Sequence, residues 1–305
     1  MPRHLLVALF VFALTGALVL SSFAPAFARD VHDKNSDKKS AAAKSSPLPF
    51  EPNEELVYQG EFSKLLLRGI EIAEFRFKAG RITPQASASA VDADAAQPLI
   101  QYQGDAKAKG WFRKLFGVDF HFGIESVVDP RTLAVLSTSK IDEQGKRVRL
   151  SEAVFDRAND KVTFTERNPN DPNSQPEITT SPLGGAAHDF LSALYFLRTR
   201  PLAVGQRFEI VMSDSGEVFN IPVKVSGRKT MNTIVGKKTQ TLRVDIEAFG
   251  DRRLIRRNGE MSLWLTDDER RLPVRVRIGS DIGTIDIKLK RVTGGIAAAG
   301  QKPKV

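Results

Sequence analysis

The chain is expected to be mainly β: a strongly curved antiparallel sheet or open barrel with one buried helix at about 186–198. Three observations predict it. Apolar and polar residues alternate with period two in one short stretch after another, the signature of half-buried antiparallel strands. A single segment near residue 190 is apolar round most of its circumference, so it must be buried on more than one side. Strand and helix patterns nowhere alternate as a parallel sheet with crossover helices would require. A bent sheet holding the helix in its concavity satisfies all three, and two smaller β lobes are the alternative.

Residues 1–28 read as a signal peptide. Arg3 and His4 precede an apolar run from Leu5 to Leu20, and Ala26-Phe27-Ala28 supplies the small-x-small cleavage pattern. Residues 29–49 are rich in Lys, Asp, Ser, Ala and Pro and are expected to be a disordered tether. A single β-rich domain is expected over 50–292, followed by a disordered tail over 293–305.

Within that domain, strands are expected from Leu56, over Ile70–Phe77 and over Ile100–Lys107, with 80–98 a loop or weak strand. Lys109 to Phe116 reads as one short amphipathic turn carrying Trp111, Phe112, Leu115 and Phe116. Alternation returns from Val118 to Ser126, and stretches near 133–140, 146–155 and 161–166 continue as a meander. Asn168 to Pro182 holds several prolines among Asn, Asp and Ser and reads as an exposed loop. In the helix, Phe190, Leu194 and Leu197 form one stripe with Leu191 and Tyr195 beside it. Gly184-Gly185 permits its start, Asp189 suits its first turn, and Pro201 blocks its continuation. Strands follow at 206–213, 217–226, 239–248 and 252–257.

The most regular stretch is the last, Gly259 to Arg291. Val274, Val276 and Ile278 fall on one face and Arg275 and Arg277 on the other. After the turn at Ser280 to Gly283, Ile285, Ile287 and Leu289 alternate with Asp286, Lys288 and Lys290. Pro273 opens the middle strand, where a missing N–H does least harm.

The 305 residues include no cysteine, so the protein is not lipid-anchored through a lipobox thiol and has no disulfides. Its fold must be held by its core alone. The net charge is +9, of which the leader contributes only Arg3. A basic exported protein is drawn to anionic surfaces, so a lipid or another anionic envelope component is an expected partner. No nucleic-acid-binding motif is present, and nucleic acid is not expected.

No catalytic constellation is recognisable. Asp267, Asp268 and Glu269 form an acidic corner without the alternating spacing and glycine of a calcium loop, which reads as a capped turn. His188, Asp189 and Ser192 invite a hydrolase reading, since His188 and Ser192 share a helix face. They lack the nucleophile elbow and the oxyanion donors such chemistry needs. Zinc is unsupported, because there is no thiol and His121 and His188 are far apart in sequence. No cofactor or metal is expected. The speculative ligand-binding residues are Trp264, Arg275 and Arg277 on the sheet, Tyr195 on the helix and Trp111 in the aromatic segment. The cluster Arg252, Arg253, Arg256 and Arg257 is expected to be a solvated basic strip.

Several blocks taken in order resemble one known family: Phe50-Glu51-Pro52 with Glu54, Leu56 and Tyr58; Ser126 to Asp129; Phe155-Asp156; Leu191 to Arg198 with Pro201-Leu202 and Gly205; and Trp264 to Asp268 with Arg271 to Val274. Together they are similar to the bacterial envelope family called domain of unknown function 3108. The resemblance spans about 50–292 and implies an exported, mostly β protein, with no catalytic residues to carry over. The expected function is a non-catalytic periplasmic binding or carrier protein for an apolar or amphiphilic envelope molecule. A structural or interaction protein that contacts an envelope partner is the alternative, and an envelope hydrolase comes third.

Overall fold

The computed structural model describes residues 48–50, 53–82, 98–110, 119–171, 173–251 and 253–294. Its elements run β1 (Glu55–Lys64), β2 (Leu67–Ile82), β3 (Leu99–Ala108), β4 (Phe120–Val128), β5 (Val135–Gln144), β6 (Arg147–Asp156), β7 (Lys161–Arg167) and β8 (Glu177–Pro182). Then come α1 (Phe190–Thr199), β9 (Arg207–Asp214), β10 (Glu217–Thr233), β11 (Gly236–Ile246), β12 (Gly259–Thr266), β13 (Pro273–Ser280) and β14 (Gly283–Thr293). The expected signal peptide at 1–28, nearly all of the expected tether at 29–49, residues 83–97, Trp111 with the rest of 111–118, Arg252 and residues 295–305 lie outside the described residues.

All 14 described strands join one antiparallel sheet in the order β8-β7-β6-β5-β4-β3-β2-β1-β14-β13-β12-β11-β10-β9. It is two meanders, β1–β8 and β9–β14, zipped together by β1 against β14 with Tyr58 opposite Leu289 and Phe62 opposite Ile285. Within each meander, each strand pairs with its neighbour in the chain, through two-residue turns at β1–β2, β5–β6, β9–β10, β10–β11 and β13–β14 and through longer connections elsewhere. The connection from β8 to β9 is different. It joins the two edges of the sheet, and α1 lies within it, so the chain crosses the concavity and the sheet curls round it.

The edges approach without pairing. At the β9–β10 turn, Gly216 has φ +79° and sits so close to β7 and β8 that an added Cβ would lie 2.8 Å from that of Thr179 and 2.9 Å from that of Phe164. Lys140 on β5 and Asp214 at the end of β9 form an ion pair across the same seam. The extended segment Ala187–His188 just before α1 fills in beside β9 and β5. His188 N–H donates to the Val211 carbonyl at 2.9 Å and Ser213 N–H to the His188 carbonyl at 2.8 Å, while Val135 N–H donates to Ala187 at 3.1 Å. The free edge of β9 is thereby partly satisfied, which removes a liability of open sheets.

These backbone bonds also correct the expected helix start. Ala187 and His188 are extended because their peptide groups belong to β9 and β5, so α1 begins at Phe190 and not at 186. Asp189 is its N-cap, accepting from Ser192 N–H at 2.7 Å in a reciprocal capping box. A second correction falls at 252–257. The chain there folds back through a lone bridge between Phe249 and Ile255 and forms no strand. The expected exposed loop at 168–182 contains β8, a short edge strand that ends at Pro182, where proline is tolerated.

Candidate functional site: an apolar cavity beside the helix

The helix divides its surface between two tasks. Leu191, Tyr195 and Arg198, spaced at i, i+4 and i+7, face the first meander. Leu191 seats over Gly104 of β3, where an added Cβ would touch Leu191 Cδ2 at 3.4 Å and crowd Ile124 Cγ2 of β4 at 2.8 Å, so a side chain here would force Ile124 to move. Tyr195 stacks on Tyr102 with ring centres 4.1 Å apart, and Phe50 meets the Tyr195 ring edge-on at 4.9 Å. Arg198 is fully buried beside them. It donates to both oxygens of Glu54, to Pro49 O at 3.1 Å and to Arg270 O at 3.3 Å, and its guanidinium lies 5.3 Å from both the Phe50 and Tyr195 rings.

The opposite stripe, Phe190, Ala193, Leu194 and Leu197, faces the second meander across a cavity of about 90 Å³. The far wall is made by inward residues of β9 to β14, among them Ile210, Ile221, Ile246, Ile278 and Ile285, with Met212 and Met261. Among the described residues that line it none is charged, and Tyr58 alone carries a hydroxyl. Phe190, Ile246, Leu254, Val276 and Ile287 line it and are only partly buried. Such a space takes apolar groups, because it offers dispersion contacts and nothing to solvate a charge.

Tyr58 brings one hydroxyl to the cavity lining, whereas Tyr102 and Tyr195 stack on each other in the core, on the side of α1 that turns from the cavity. The hydroxyls of Tyr58, Tyr102 and Tyr195 are buried with no hydrogen-bond partner. Burial pushes all three phenols above their ordinary range. They are neutral donors at any ordinary pH, and an unpaired buried hydroxyl costs about 1–3 kcal/mol until something binds to it.

The residues singled out from sequence are distributed elsewhere. Trp264, Arg275 and Arg277 lie on the outer face of β12 and β13, away from the cavity. Trp264 is 5% exposed because Arg243 and Arg275 cover its ring, with guanidinium carbons 5.7 and 5.2 Å from its centre. Arg275 is paired with Asp286, its Nε donating to Oδ1 at 2.6 Å. Tyr195 is in the core, on the side of α1 that turns from the cavity. Trp111 lies outside the described residues. Of the basic cluster, Arg253 donates to Asn220 O at 2.9 Å and Arg256 is paired with Glu217 at 2.6 Å.

The chemistry-bearing candidates are likewise committed. Ser192 is wholly buried, its Oγ accepting from Asp189 N–H at 3.0 Å and donating to the Asp189 carbonyl at 3.3 Å. His188 stacks on Phe196 at 4.4 Å, and burial lowers its pKa to about 4. Asp268 caps its turn, accepting from the N–H groups of Arg270 and Arg271 at 3.1 Å each. Asp267 is held by Arg228 at 2.6 Å. On the outer face of β3 to β5, His121 sits between Asp105 and Glu143, 2.7 Å from each. Among the described residues no group of three or more acidic or histidine side chains could hold a metal ion.

The cavity walls were latent in the alternation: Val276, Ile278, Ile285 and Ile287 all fall on the face opposite Arg275 and Arg277. What the pattern could not supply was which apolar face closes against the helix and which leaves a gap.

An open antiparallel sheet curled round one helix, with an apolar cavity on one flank of that helix, defines a β-barrel-like protein. The chain belongs to the family of proteins of unknown function DUF3108, whose model matches residues 70–290. A crystal structure of a β-barrel-like protein of domain of unknown function DUF1849 from Brucella abortus is similar to it at a TM-score of 0.49 and 8% identity, over 81% of this chain and 99% of that one. No curated protein matches the chain.

Proposed function

We propose that this is a non-catalytic binding or carrier protein of the bacterial periplasm, which takes the apolar part of an amphiphilic envelope molecule into the cavity beside α1. The observation that carries this reading is the cavity itself, whose described lining residues are all uncharged and which is bounded by the helix stripe Phe190, Ala193, Leu194 and Leu197. The leader pattern at 1–28 supports export, and the basic charge supports encounter with anionic envelope surfaces. At about 90 Å³ the space is smaller than the roughly 150 Å³ that accommodates benzene in an engineered cavity. A longer chain enters by displacing Met212 and Met261, whose unbranched side chains repack readily.

The test is uptake of a dansyl-labelled fatty acid by delipidated protein. Blue-shifted, enhanced emission that unlabelled fatty acid displaces is the expected result. The double variant Ala193→Leu/Ala248→Leu, which grows two lining alanines into the space, should abolish the signal with Tm unchanged or raised. A wild-type protein that neither enhances the probe nor shifts in Tm with fatty acid overturns the reading.

A further inference from the structure

We infer that the tip of the β1–β2 hairpin is a membrane-docking element that inserts Leu65, Leu66 and Leu67 into an anionic lipid surface. These three consecutive leucines are 84%, 98% and 48% exposed, an unusual withdrawal of large apolar groups from the core. Leu65 and Leu66 occupy the two central positions of the turn, closed by Lys64 opposite Leu67. Leu65 holds φ at +49°. Left-handed backbone of this kind favours glycine, asparagine or aspartate, and a two-residue hairpin turn ordinarily carries them. Leucine there is strained and in water at once, so fold stability does not account for it. The inference runs from that conformational outlier to a role outside the fold.

The chemistry around the tip selects the occupant. Lys64 and Arg68 flank the leucines directly and have no ion-pair partner among the described residues. The nearest acids on the same two strands are engaged, Glu61 with Lys288 at 2.6 Å and Glu71 with Lys109 at 3.9 Å. Asp281 in the neighbouring β13–β14 turn and Glu260 at the start of β12 are exposed at this end and have no ion pair among the described residues, but neither flanks the leucines as Lys64 and Arg68 do. Apolar side chains at the apex with cations immediately behind them match the order of acyl chains and phosphates in a bilayer surface. Side chains standing this far into solvent at the apex of a two-residue turn can enter a soft interface without rearranging the fold. This inference stands on the hairpin and not on the cavity.

Full-length protein is tested by co-sedimentation with vesicles of phosphatidylethanolamine and phosphatidylglycerol, and with vesicles of phosphatidylcholine alone. The wild type is expected to partition onto the anionic vesicles. Leu65→Asn/Leu66→Gly should lower that partition roughly tenfold or more, since each leucine inserted is worth about that factor. Asparagine accepts the left-handed φ that Leu65 holds, so Tm should hold or rise, which separates lost docking from lost folding. Lys64→Gln/Arg68→Gln should lower binding to anionic vesicles severalfold and leave binding to neutral ones unchanged. No partition of the wild type, or equal partition of wild type and the Asn-Gly variant, overturns the inference. Either result is independent of probe uptake by the cavity.

Discussion

Arg198 and Glu54 grip each other inside the barrel with both side chains at 0% exposure, their Nη1–Oε1 and Nη2–Oε2 distances 2.5 and 3.0 Å. Glu54 stands immediately before β1 and Arg198 in the last turn of α1, so this pair fastens the first strand to the helix. The guanidinium is raised above its ordinary pKa: burial opposes the charge, but the Glu54 hydrogen bonds and charge outweigh it. Its remaining N–H groups go to the Pro49 and Arg270 carbonyls, which ties in the segment before β1 and the β12–β13 turn.

Removing one partner leaves a buried charge without compensation. Glu54→Gln is therefore expected to destabilise the protein by about 3–5 kcal/mol, read from urea unfolding. The double replacement Glu54→Leu/Arg198→Met should lose clearly less than the two single losses added together. Additive losses would mean that the pair acts as two separate packing groups.

His188 makes stability depend on pH. It is 3% exposed, and burial lowers its pKa from 6.5 to about 4. The unfolded chain therefore takes up this proton first. Between pH 6.5 and about 4 the unfolded state binds more protons than the folded one, so stability falls as pH falls through that window. The full contribution is about 3 kcal/mol, present above the window and lost below it. His188→Gln should flatten the slope of unfolding free energy over that range relative to wild type. An unchanged slope would assign the acid sensitivity to carboxylates instead.

Arg275 tests whether the outer strip serves the cavity. Its guanidinium is committed to Asp286 and covers Trp264 on the far side of the sheet. Arg275→Gln is expected to lower stability by about 1 kcal/mol and to leave fatty-acid probe uptake unchanged. Severalfold weaker uptake with normal stability would bring the outer strip back as a ligand contact.

Much of the architecture was legible before any coordinates. Alternation at Val274–Ile278 and Ile285–Leu289 marks the faces of β13 and β14 as they stand, because a strand's side chains have no other way to point. The wide apolar circumference of the helix required burial on two sides, and both sides are occupied, one by Tyr102 and Glu54 and one by the cavity. The helix start was misplaced because backbone bonding to Val211 and Ser213, far along the chain, overrides local helix signals at Ala187 and His188. At 252–257 a strand was expected, but Ile255 uses its backbone groups locally, its N–H donating to Ala248 O and its carbonyl accepting from Gly250 N–H.

The candidate site divides in the same way. Leu194 and Phe190 could be assigned to an apolar stripe from spacing alone, yet Trp264 and Arg275 drew attention as chemistry while facing the opposite side of the sheet. A periodic pattern says which side chains share a face. It does not say how far that face stands from what it covers.

From the sequence alone came the strand faces, the one greasy helix and the lack of cysteine staples, since these depend on local periodicity and residue type. Three things were decided only in the folded state: the β1–β14 zipper, the burial of Arg198 against Glu54, and the space left beside α1. Each depends on distances between segments far apart in the chain, which are set by how the whole sheet curls and not by any one stretch of it.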